Sequence, residues 1–335
     1  CYRYAHYLGQ CIDSVLSQSE RRLELIVMDD CSPDNTPDVV ASYHDPRIRY
    51  FRQPKNTTGC PNLNQGLQAA RGAFIWPLSA DDFLAHSDAV RDCLRLFDRH
   101  PAAGFAFAQP SLLNETGNPL PPLQIPPGLR SLVPQGAMLR PLLRFCFLVP
   151  SGLLIRRDAL SACGYWSEDP AIRYCPDWYL FCRLAMRYAA VFSRRPTTVY
   201  RVHSSSEVRT FEKNRPLMRA EHTFEMLRRL LAEARENGPH WAQGVCRDAL
   251  AEFLAGEIVD SAPGRQRLAS TREEVAALLE RGGVDRADLA GILDLMDRWI
   301  GRRRAIHHLA RGDEALSGRG GAEALQEYRL ARELA

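Results

Sequence analysis

The fold of this chain is organised around one stretch, Phe74-Ile75-Trp76-Pro77-Leu78-Ser79-Ala80-Asp81-Asp82-Phe83-Leu84. The stretch is apolar up to Leu78 and then reaches two adjacent carboxylates. An apolar run of this length after Gly72 is typical of a buried strand. Buried parallel strands bring functional residues to their C-terminal ends, where loops form the ligand crevice. We therefore expect Asp81 and Asp82 at the mouth of a crevice.

The two neighbouring carboxylates have two interpretations. Side by side they repel each other unless a cation lies between them and the solvent, and hard divalent cations take oxygen ligands. The structural alternative is that Asp82 caps the turn before Ala85, as aspartates often do at the start of a helix. On this stretch alone the capping interpretation is the stronger one, so the decision depends on the rest of the chain.

The composition is that of an ordinary globular protein. The chain has 335 residues, enough for two domains or for one large α/β domain with an appendage. A hydrophobic share of 45% and a charged share of 25% are typical of folded domains, and a net charge of +3 is too small to indicate a nucleic-acid partner. No run of about 18 apolar residues occurs, so the sequence predicts no transmembrane helix.

The ten cysteines are scattered along the chain and form no CxxC pair. This usage predicts a reducing, cytoplasmic setting without a disulfide framework or a structural zinc. Peripheral association with the inner face of the membrane is the second location that we consider.

Helical and strand patterns alternate over residues 1–205. Helices are predicted over 6–17, 61–70, 88–99, 157–163 and 176–189, and strands over 23–28, 48–51, 74–78, 104–108, 151–155, 190–193 and 197–202. This alternation predicts an α/β domain with a mostly parallel sheet.

Residues 206–335 differ, since Leu, Ala, Arg and Glu dominate and the pattern is helical throughout. One amphipathic face combines Phe224, Leu227, Leu230 and Leu231. Such a face needs a partner surface, so we expect a helical appendage that packs on the first domain.

Acidic residues fall on three different elements of the first domain. Asp29-Asp30 ends one predicted strand, Asp81-Asp82 ends another, and Asp177 begins a late helix. Further motifs surround them: Tyr2 with His6-Tyr7-Leu8, Ser14-Val15-Leu16-Ser17-Gln18, Leu25 to Thr36, Asn64-Gln65-Gly66, Ala70-Arg71-Gly72, Asp177-Trp178, and Tyr200-Arg201-Val202-His203. In order and spacing they resemble family 2 glycosyltransferases of the GT-A fold over roughly residues 1–205. The resemblance is specific for fold and reaction class, but not for the sugar.

The resemblance implies roles on the donor side of the site. Asp30 would accept a hydrogen bond from the nucleotide base, and Tyr2 would stack on that base. Asp81 would contact the ribose or support the metal, while Asn64 and Arg71 are further candidates for nucleotide contacts. For Asp29 we expect only a structural role, in a turn after the strand.

The resemblance also implies a metal. Asp82 would bind Mn²⁺ or Mg²⁺, which bridges to the diphosphate and neutralises the charge that develops on the leaving group. His203 resembles the histidine that many GT-A enzymes use as a further metal ligand, although an ordinary loop histidine is an equally good interpretation. Carboxylate, phosphate and imidazole ligands suit Mn²⁺ or Mg²⁺ better than Ca²⁺.

On the acceptor side, the resemblance makes Asp177 the catalytic base. Its structural alternative is a helix cap, because acidic residues are common in first turns. Ser151 and Gly152 would line the floor of the sugar pocket, and Trp178 would contribute to it.

The chain departs from the family pattern in several places. The family often carries Ala-Arg-Asn where this chain has Asn62-Leu63-Asn64, so a basic nucleotide contact is missing or comes from elsewhere, with Arg71 as the candidate. Ser79 replaces a common Asp, and Pro176 a frequent Glu. The chain also starts directly before its first predicted helix, so we expect the sheet to lack its usual first strand.

The expected activity is inverting, metal-dependent transfer from a nucleotide-diphosphate sugar, UDP-linked in the first instance, to a glycan or lipid-linked hydroxyl. Such a reaction belongs to the synthesis of cell-surface polysaccharides. Two alternatives are a non-catalytic protein that binds sugar nucleotides and a nucleotidyltransferase of related fold. No nucleic-acid partner is expected.

Overall fold

The computed structural model describes residues 1–204, 218–259, 269 and 271–317, with side chains up to residue 306. The chain forms two compact units, Cys1–Asn214 and Arg215–Ala335. The boundary that the sequence predicts, between residues 205 and 206, involves residues outside the described ranges.

The first unit opens with helices around a two-stranded parallel sheet. Its elements are α1 (Ala5–Leu16), β1 (Leu25–Asp29), α2 (Thr36–Ala41), β2 (Ile48–Arg52) and α3 (Gly59–Ala69). Strands β1 and β2 pair in parallel from Leu25 opposite Ile48 to Asp29 opposite Arg52. The apolar face of α1 packs on this sheet because its helical spacing places Leu8 and Ile12 together against Val27.

The remainder of the unit holds two mixed sheets. Its elements are β3 (Phe74–Ile75), β4 (Phe83–Leu84), α4 (Ala89–Arg99), β5 (Ala103–Ala108), β6 (Ser111–Asn114), β7 (Pro119–Leu120), β8 (Leu132–Val133), α5 (Leu139–Arg144), β9 (Leu153–Arg156), α6 (Arg157–Ala162), α7 (Pro176–Arg187), β10 (Ala189–Ser193) and β11 (Thr198–Val202). One sheet has the order β3-β9-β5-β10-β8 and the other β4-β11-β6-β7. Only β5 with β10 and β6 with β11 pair in parallel among these strands.

The α/β class predicted from the sequence is confirmed, but the sheets are mixed rather than mostly parallel. Apolar runs indicate that strands such as β5 are buried on both faces, and all six residues of β5 are buried. They do not indicate strand direction. The short strand β9 lies between β3 and β5 and pairs antiparallel with both. No residue pattern in the sequence predicts this direction.

The strand in the stretch 74–84 ends earlier than the sequence predicts. Only Phe74 and Ile75 pair, antiparallel to β9, instead of a strand over 74–78. Pro77 has no N–H to donate to a ladder, which favours an early end of the strand. The carboxylates therefore precede β4 instead of ending β3. Asp82 does not cap a helix either, since the next helix begins at Ala89.

The second unit is helical where the structure describes it. It comprises α8 (Met218–Glu236), α9 (His240–Val259), α10 (Arg272–Arg281) and α11 (Arg286–Ser317). Helix α9 packs against both α8 and α11. The apolar face predicted from the sequence is buried, and Leu227 and Leu230 have no exposed surface. In the described ranges, no helix combines the length and apolar character needed to cross a membrane.

Candidate active site

Asp29, the last residue of β1, is a structural carboxylate. It is fully buried and accepts hydrogen bonds from the Tyr50 hydroxyl at 2.7 Å and from the Ser32 N–H at 2.8 Å. The guanidinium of Arg52 lies 3.7 Å away. These contacts tie the loop after β1 to β2, in agreement with the turn interpretation.

Asp30 lies next to the beginning of the chain. One of its carboxylate oxygens accepts both the N–H and the hydroxyl of Thr57, at 2.7 and 2.8 Å. Its own N–H donates to the carbonyl of Cys1 at 2.9 Å. Tyr2 follows directly and keeps 37% of its surface exposed, with the Arg3 guanidinium 5.3 Å from its ring centroid. Tyr2, with its accessible ring, is thus the next residue after the one whose carbonyl contacts Asp30.

Asp82 is buried and held from two sides. The Ser151 hydroxyl donates to one carboxylate oxygen at 2.5 Å, and the backbone N–H of Arg201 donates to the other at 2.9 Å. Burial raises the pKa of Asp82 well above its ordinary value, and the negative charge of Asp81 raises it further. Among the described residues, no Lys or Arg side chain forms an ion pair with Asp82.

Ser151 supports Asp82 from within the protein. It lies in a short 3-10 turn, Pro150–Gly152, and has no exposed surface. Its carbonyl accepts hydrogen bonds from the Trp76 indole and the Thr198 hydroxyl, both at 2.6 Å. The prediction that Ser151 and Gly152 line the sugar pocket is therefore corrected, because both are buried beneath the carboxylates.

The partner of His203 is Asp81, at 2.9 Å between the imidazole Nε2 and the carboxylate oxygen. The His203 ring is buried against Tyr4 and Tyr7, with centroid distances of 5.5 and 6.1 Å. The predicted metal pair of Asp82 and His203 stays a prediction, and the pairing adds Asp81 as a further candidate ligand. Both oxygens of Asp82 accept hydrogen bonds from the protein, so Asp81 is the carboxylate that stands beside the imidazole.

Asp81 and His203 fit part of a divalent-cation site. One carboxylate and one imidazole suit Mn²⁺ or Mg²⁺, and a cation here would also offset the charge of the buried carboxylate of Asp82. Within the described part of the chain, no three His, Cys, Asp or Glu side chains already form a metal-binding cluster. A cation at this pair would therefore need further ligands from a phosphate group and water.

Asp177 lies in the first turn of α7 and accepts the N–H of Trp178 at 2.7 Å. Tyr200 connects it with the other carboxylates: burial raises the pKa of Tyr200, and the charges of Asp82, Asp81 and Asp177 raise it further. All three carboxylates thus act electrostatically on the Tyr200 hydroxyl. The Trp178 indole donates to the carbonyl of Leu142 at 2.5 Å, so its polar edge is engaged within the protein.

Arg71 lies far from Asp30. Its N–H donates to the carboxylate of Glu24 at 2.6 Å, at the start of β1. Asp30 lies beyond the other end of that strand, roughly 20 Å along an extended chain. Arg71 therefore lies at the opposite end of β1 from Asp30, and its predicted contact to the nucleotide stays a prediction.

Asn64 does not present its amide to an open crevice. The amide NH₂ donates to the carbonyl of Trp166 and to the carboxylate of Glu168, both at 2.8 Å. Its oxygen accepts the N–H of Trp166 at 3.1 Å. The predicted nucleotide contact is thus replaced by a link to the loop before α7. Sequence reasoning missed this link and the Thr57 contact to Asp30, because both depend on loops distant in sequence.

Comparison with known proteins agrees with this architecture. The structure superposes on the crystal structure of S. aureus TarS 1-349 with a TM-score of 0.61 and 18% identity, covering 99% of this chain and 88% of that one. It also resembles the mannosyltransferase PcManGT from Pyrobaculum calidifontis, solved with GDP-Man and Mn²⁺, with a TM-score of 0.50 and 18% identity over 88% of this chain and 83% of that one. The fold and the arrangement of carboxylates define a glycosyltransferase domain of the GT-A class.

The family follows from sequence. Residues 1–164 match the model of Glycosyl transferase family 2, and this part of the chain belongs to that family. The chain is 37% identical over 111 residues to the succinoglycan biosynthesis protein ExoO of Rhizobium meliloti (strain 1021). That match covers 33% of this chain and 31% of ExoO, so the chain matches about a third of that relative.

Proposed function

We propose that the chain transfers a sugar from a nucleotide-diphosphate sugar to a hydroxyl of a glycan or lipid-linked acceptor, with inversion and with help from a divalent cation. A UDP-sugar is the first donor to test and a GDP-sugar the second, since the PcManGT neighbour was solved with GDP-Man. A role in polysaccharide synthesis is supported by the similarity to ExoO. The observation that carries the proposal is the Asp81–His203 pair beside the buried Asp82.

The nucleotide binds, in this proposal, between Tyr2 and Asp30. The exposed ring of Tyr2 offers a stacking surface, and base–aromatic stacking is worth about 1–3 kcal/mol. Thr57 occupies one oxygen of Asp30, which fixes the carboxylate and leaves its other oxygen for a base N–H.

Asp81 and His203 would hold Mn²⁺ or Mg²⁺, and the cation would bind the diphosphate of the donor. When bound there, the cation would offset the charge that develops on the leaving diphosphate. Tyr4 and Tyr7 hold the imidazole of His203 in place by ring contacts. Asp82 acts indirectly: it fixes the backbone at Arg201 and, through Ser151, the turn at 150–152.

Asp177 takes the proton of the acceptor hydroxyl. In an inverting displacement the hydroxyl oxygen forms a bond to the anomeric carbon as the bond to the diphosphate breaks. A carboxylate on the acceptor side must remove the proton near that transition state, and a positioned base of this kind contributes a rate factor of about 10² to 10⁴. The first turn of α7 fixes the position of Asp177.

The test is an incubation of the protein with a panel of UDP- and GDP-sugars, Mn²⁺ and glycan acceptors, with free nucleoside diphosphate as the readout. We expect one class of donor to release its nucleoside diphosphate only when both an acceptor and the cation are present. Asp177→Asn should lower transfer by about 10² to 10⁴-fold while donor binding persists. Near-normal transfer by this variant would reject Asp177 as the base, and binding without release would favour a non-catalytic protein. Released pyrophosphate would instead indicate nucleotidyl transfer.

A further inference from the structure

The loop before α7 contains a backbone conformation that requires support. Gly164 and Tyr165 both have positive φ, at 74° and 61°. Tyrosine disfavours this left-handed region, because its Cβ approaches the following carbonyl oxygen at a cost of about 1–2 kcal/mol. Such conformations persist where surrounding contacts determine them, and they often occur at functional sites.

The surrounding contacts come from a distant helix. Asn64 on α3 is 5% exposed and bonds both the N–H and the carbonyl of Trp166, the residue that follows Tyr165. The same amide donates to Glu168 at 2.8 Å. An asparagine can satisfy both backbone groups of one residue because it carries a donor and an acceptor in one plane. We name these contacts of Asn64 with Trp166 and Glu168 the Asn64 clamp.

The clamped segment leads directly to the catalytic helix. The Trp166 ring is buried and meets Phe181 of α7 edge to face, with centroids 6.4 Å apart and planes at 87°. Further along the segment, Ile172 and Cys175 are buried as well. Between the clamp and Asp177, the segment is thus anchored in the interior at Ile172 and Cys175.

We propose that Asn64 is a positioning residue for Asp177: the clamp fixes segment 164–176 and thereby sets the start of α7. The inference goes beyond the assignment of the base and rests on the proposed function only in taking Asp177 as that base. Helix α3 would then serve both sides of the site, since Thr57, just before it, holds Asp30.

Asn62 provides a matched control on the same helix. It is also 5% exposed, but its amide donates to the carbonyl of Met28 at 3.0 Å and accepts from Gln53 at 3.1 Å. Asn62→Ala therefore removes as large a buried amide without touching the clamp.

The experiment compares kinetics and hydrogen exchange of the full chain in these variants. Asn64→Ala should lower kcat by about 10- to 100-fold, as small misplacements of a catalytic group do, with the donor KM changed less than about twofold. Exchange of backbone amides over residues 164–176 should become faster in Asn64→Ala and stay unchanged in Asn62→Ala. Normal kcat in Asn64→Ala, or equal effects of both variants on kcat and on exchange over 164–176, would overturn the proposal.

Two further variants, Asn64→Asp and the double variant Asn64→Asp with Glu168→Gln, test the clamp if Asn64→Ala does not fold. Asn64→Asp retains an acceptor for Trp166 but brings a carboxylate against Glu168, so kcat should fall. Adding Glu168→Gln restores a donor at that contact, although not at the Trp166 carbonyl, and should recover part of the lost kcat. No recovery would contradict the clamp. If the wild type transfers no sugar from any donor, the proposed function fails, while the exchange comparison alone still decides whether Asn64 holds the segment.

Discussion

The two aspartate pairs of the site, at 29–30 and 81–82, differ in which residue has the structural role, the first or the second. In the first pair the leading residue is the structural one, with Asp29 buried under Tyr50 and Ser32. In the second pair the trailing residue, Asp82, is buried, and the leading one contacts His203. In the proposed function, each pair combines one carboxylate that supports the fold with one that binds a ligand.

The pairs differ in how the buried charge is balanced. Arg52 lies 3.7 Å from Asp29, whereas Asp82 accepts a backbone N–H and a hydroxyl hydrogen and forms no ion pair within the described ranges. The charge of Arg201 favours the ionised form of Asp82 but does not outweigh its burial. Burial of a carboxylate without a cation disfavours its charged form. This difference is why we infer an external cation at the second pair and none at the first.

The largest expected effect distinguishes Asp81 from Asp30, the two carboxylates to which the proposal assigns a ligand. Asp81→Asn should reduce metal-dependent transfer by about 10²-fold or more, because the cation would lose its carboxylate ligand. Asp30→Asn should weaken donor binding by about 10- to 100-fold, since it loses a charge-assisted hydrogen bond, but leave the Mn²⁺ dependence unchanged. Transfer rates measured against Mn²⁺ and donor concentration distinguish the two outcomes. Equal shifts in Mn²⁺ dependence would remove the distinction between the pairs.

A second prediction concerns Asp29 and Asp82, the structural carboxylate of each pair, and their effect on the free energy of unfolding. Asp29→Asn should destabilise the protein by about 1.5–3 kcal/mol, because it weakens buried hydrogen bonds to a charged group. Asp82→Asn should stabilise the metal-free protein near neutral pH by at least about 1 kcal/mol, since one pKa unit corresponds to about 1.4 kcal/mol. Denaturant unfolding in the presence of a chelator measures the free energy of unfolding of both variants. Destabilisation by both would show that the buried carboxylate of Asp82 does not destabilise the metal-free protein.

The sign of the pH effect follows from the raised pKa of Asp82. The folded state favours the protonated form, so this group's contribution to stability is complete below the pKa of an unfolded Asp. It is lost as pH rises through the folded pKa. The advantage of Asp82→Asn over the metal-free wild type should therefore be larger at about pH 8 than at about pH 5. An advantage that is independent of pH would point to packing instead.

The smallest expected effect concerns the accessible ring of Tyr2. Tyr2→Ala should weaken nucleotide binding by about 10-fold, in the range of one stacking contact, and Tyr2→Phe should bind nearly as the wild type does. A titration with UDP and GDP followed by calorimetry measures both. If Tyr2→Phe loses as much as Tyr2→Ala, the hydroxyl rather than the ring face makes the contact.

Much of the fold could be predicted because periodicity and turn residues are local signals. Helix α1 was predicted one residue from its observed bounds, and strand β10 likewise. The two aspartate pairs were also recognised from their motifs. Strand β3 was predicted too long, since the apolar run continues past Pro77 although pairing does not.

The roles within the second pair could not be predicted in the same way. Which of two neighbouring carboxylates points inward depends on Ser151 and Arg201, which lie 69 and 119 residues away from Asp82 in sequence. The same holds for Asn64, whose motif suggested a nucleotide contact while its partners are in the loop before α7. Motifs indicate which side chains are candidates for function, and contacts with residues distant in sequence determine what surrounds each of them.

The most direct test of the central claim is a titration of the protein with Mn²⁺ in the presence of UDP, followed by electron paramagnetic resonance of free Mn²⁺. The account predicts that, at UDP concentrations that saturate each variant, Asp81→Asn and His203→Ala weaken Mn²⁺ binding by about 10- to 100-fold, while Asp30→Asn leaves it unchanged. Unchanged Mn²⁺ affinity in both Asp81→Asn and His203→Ala would contradict the claim that this pair holds the cation.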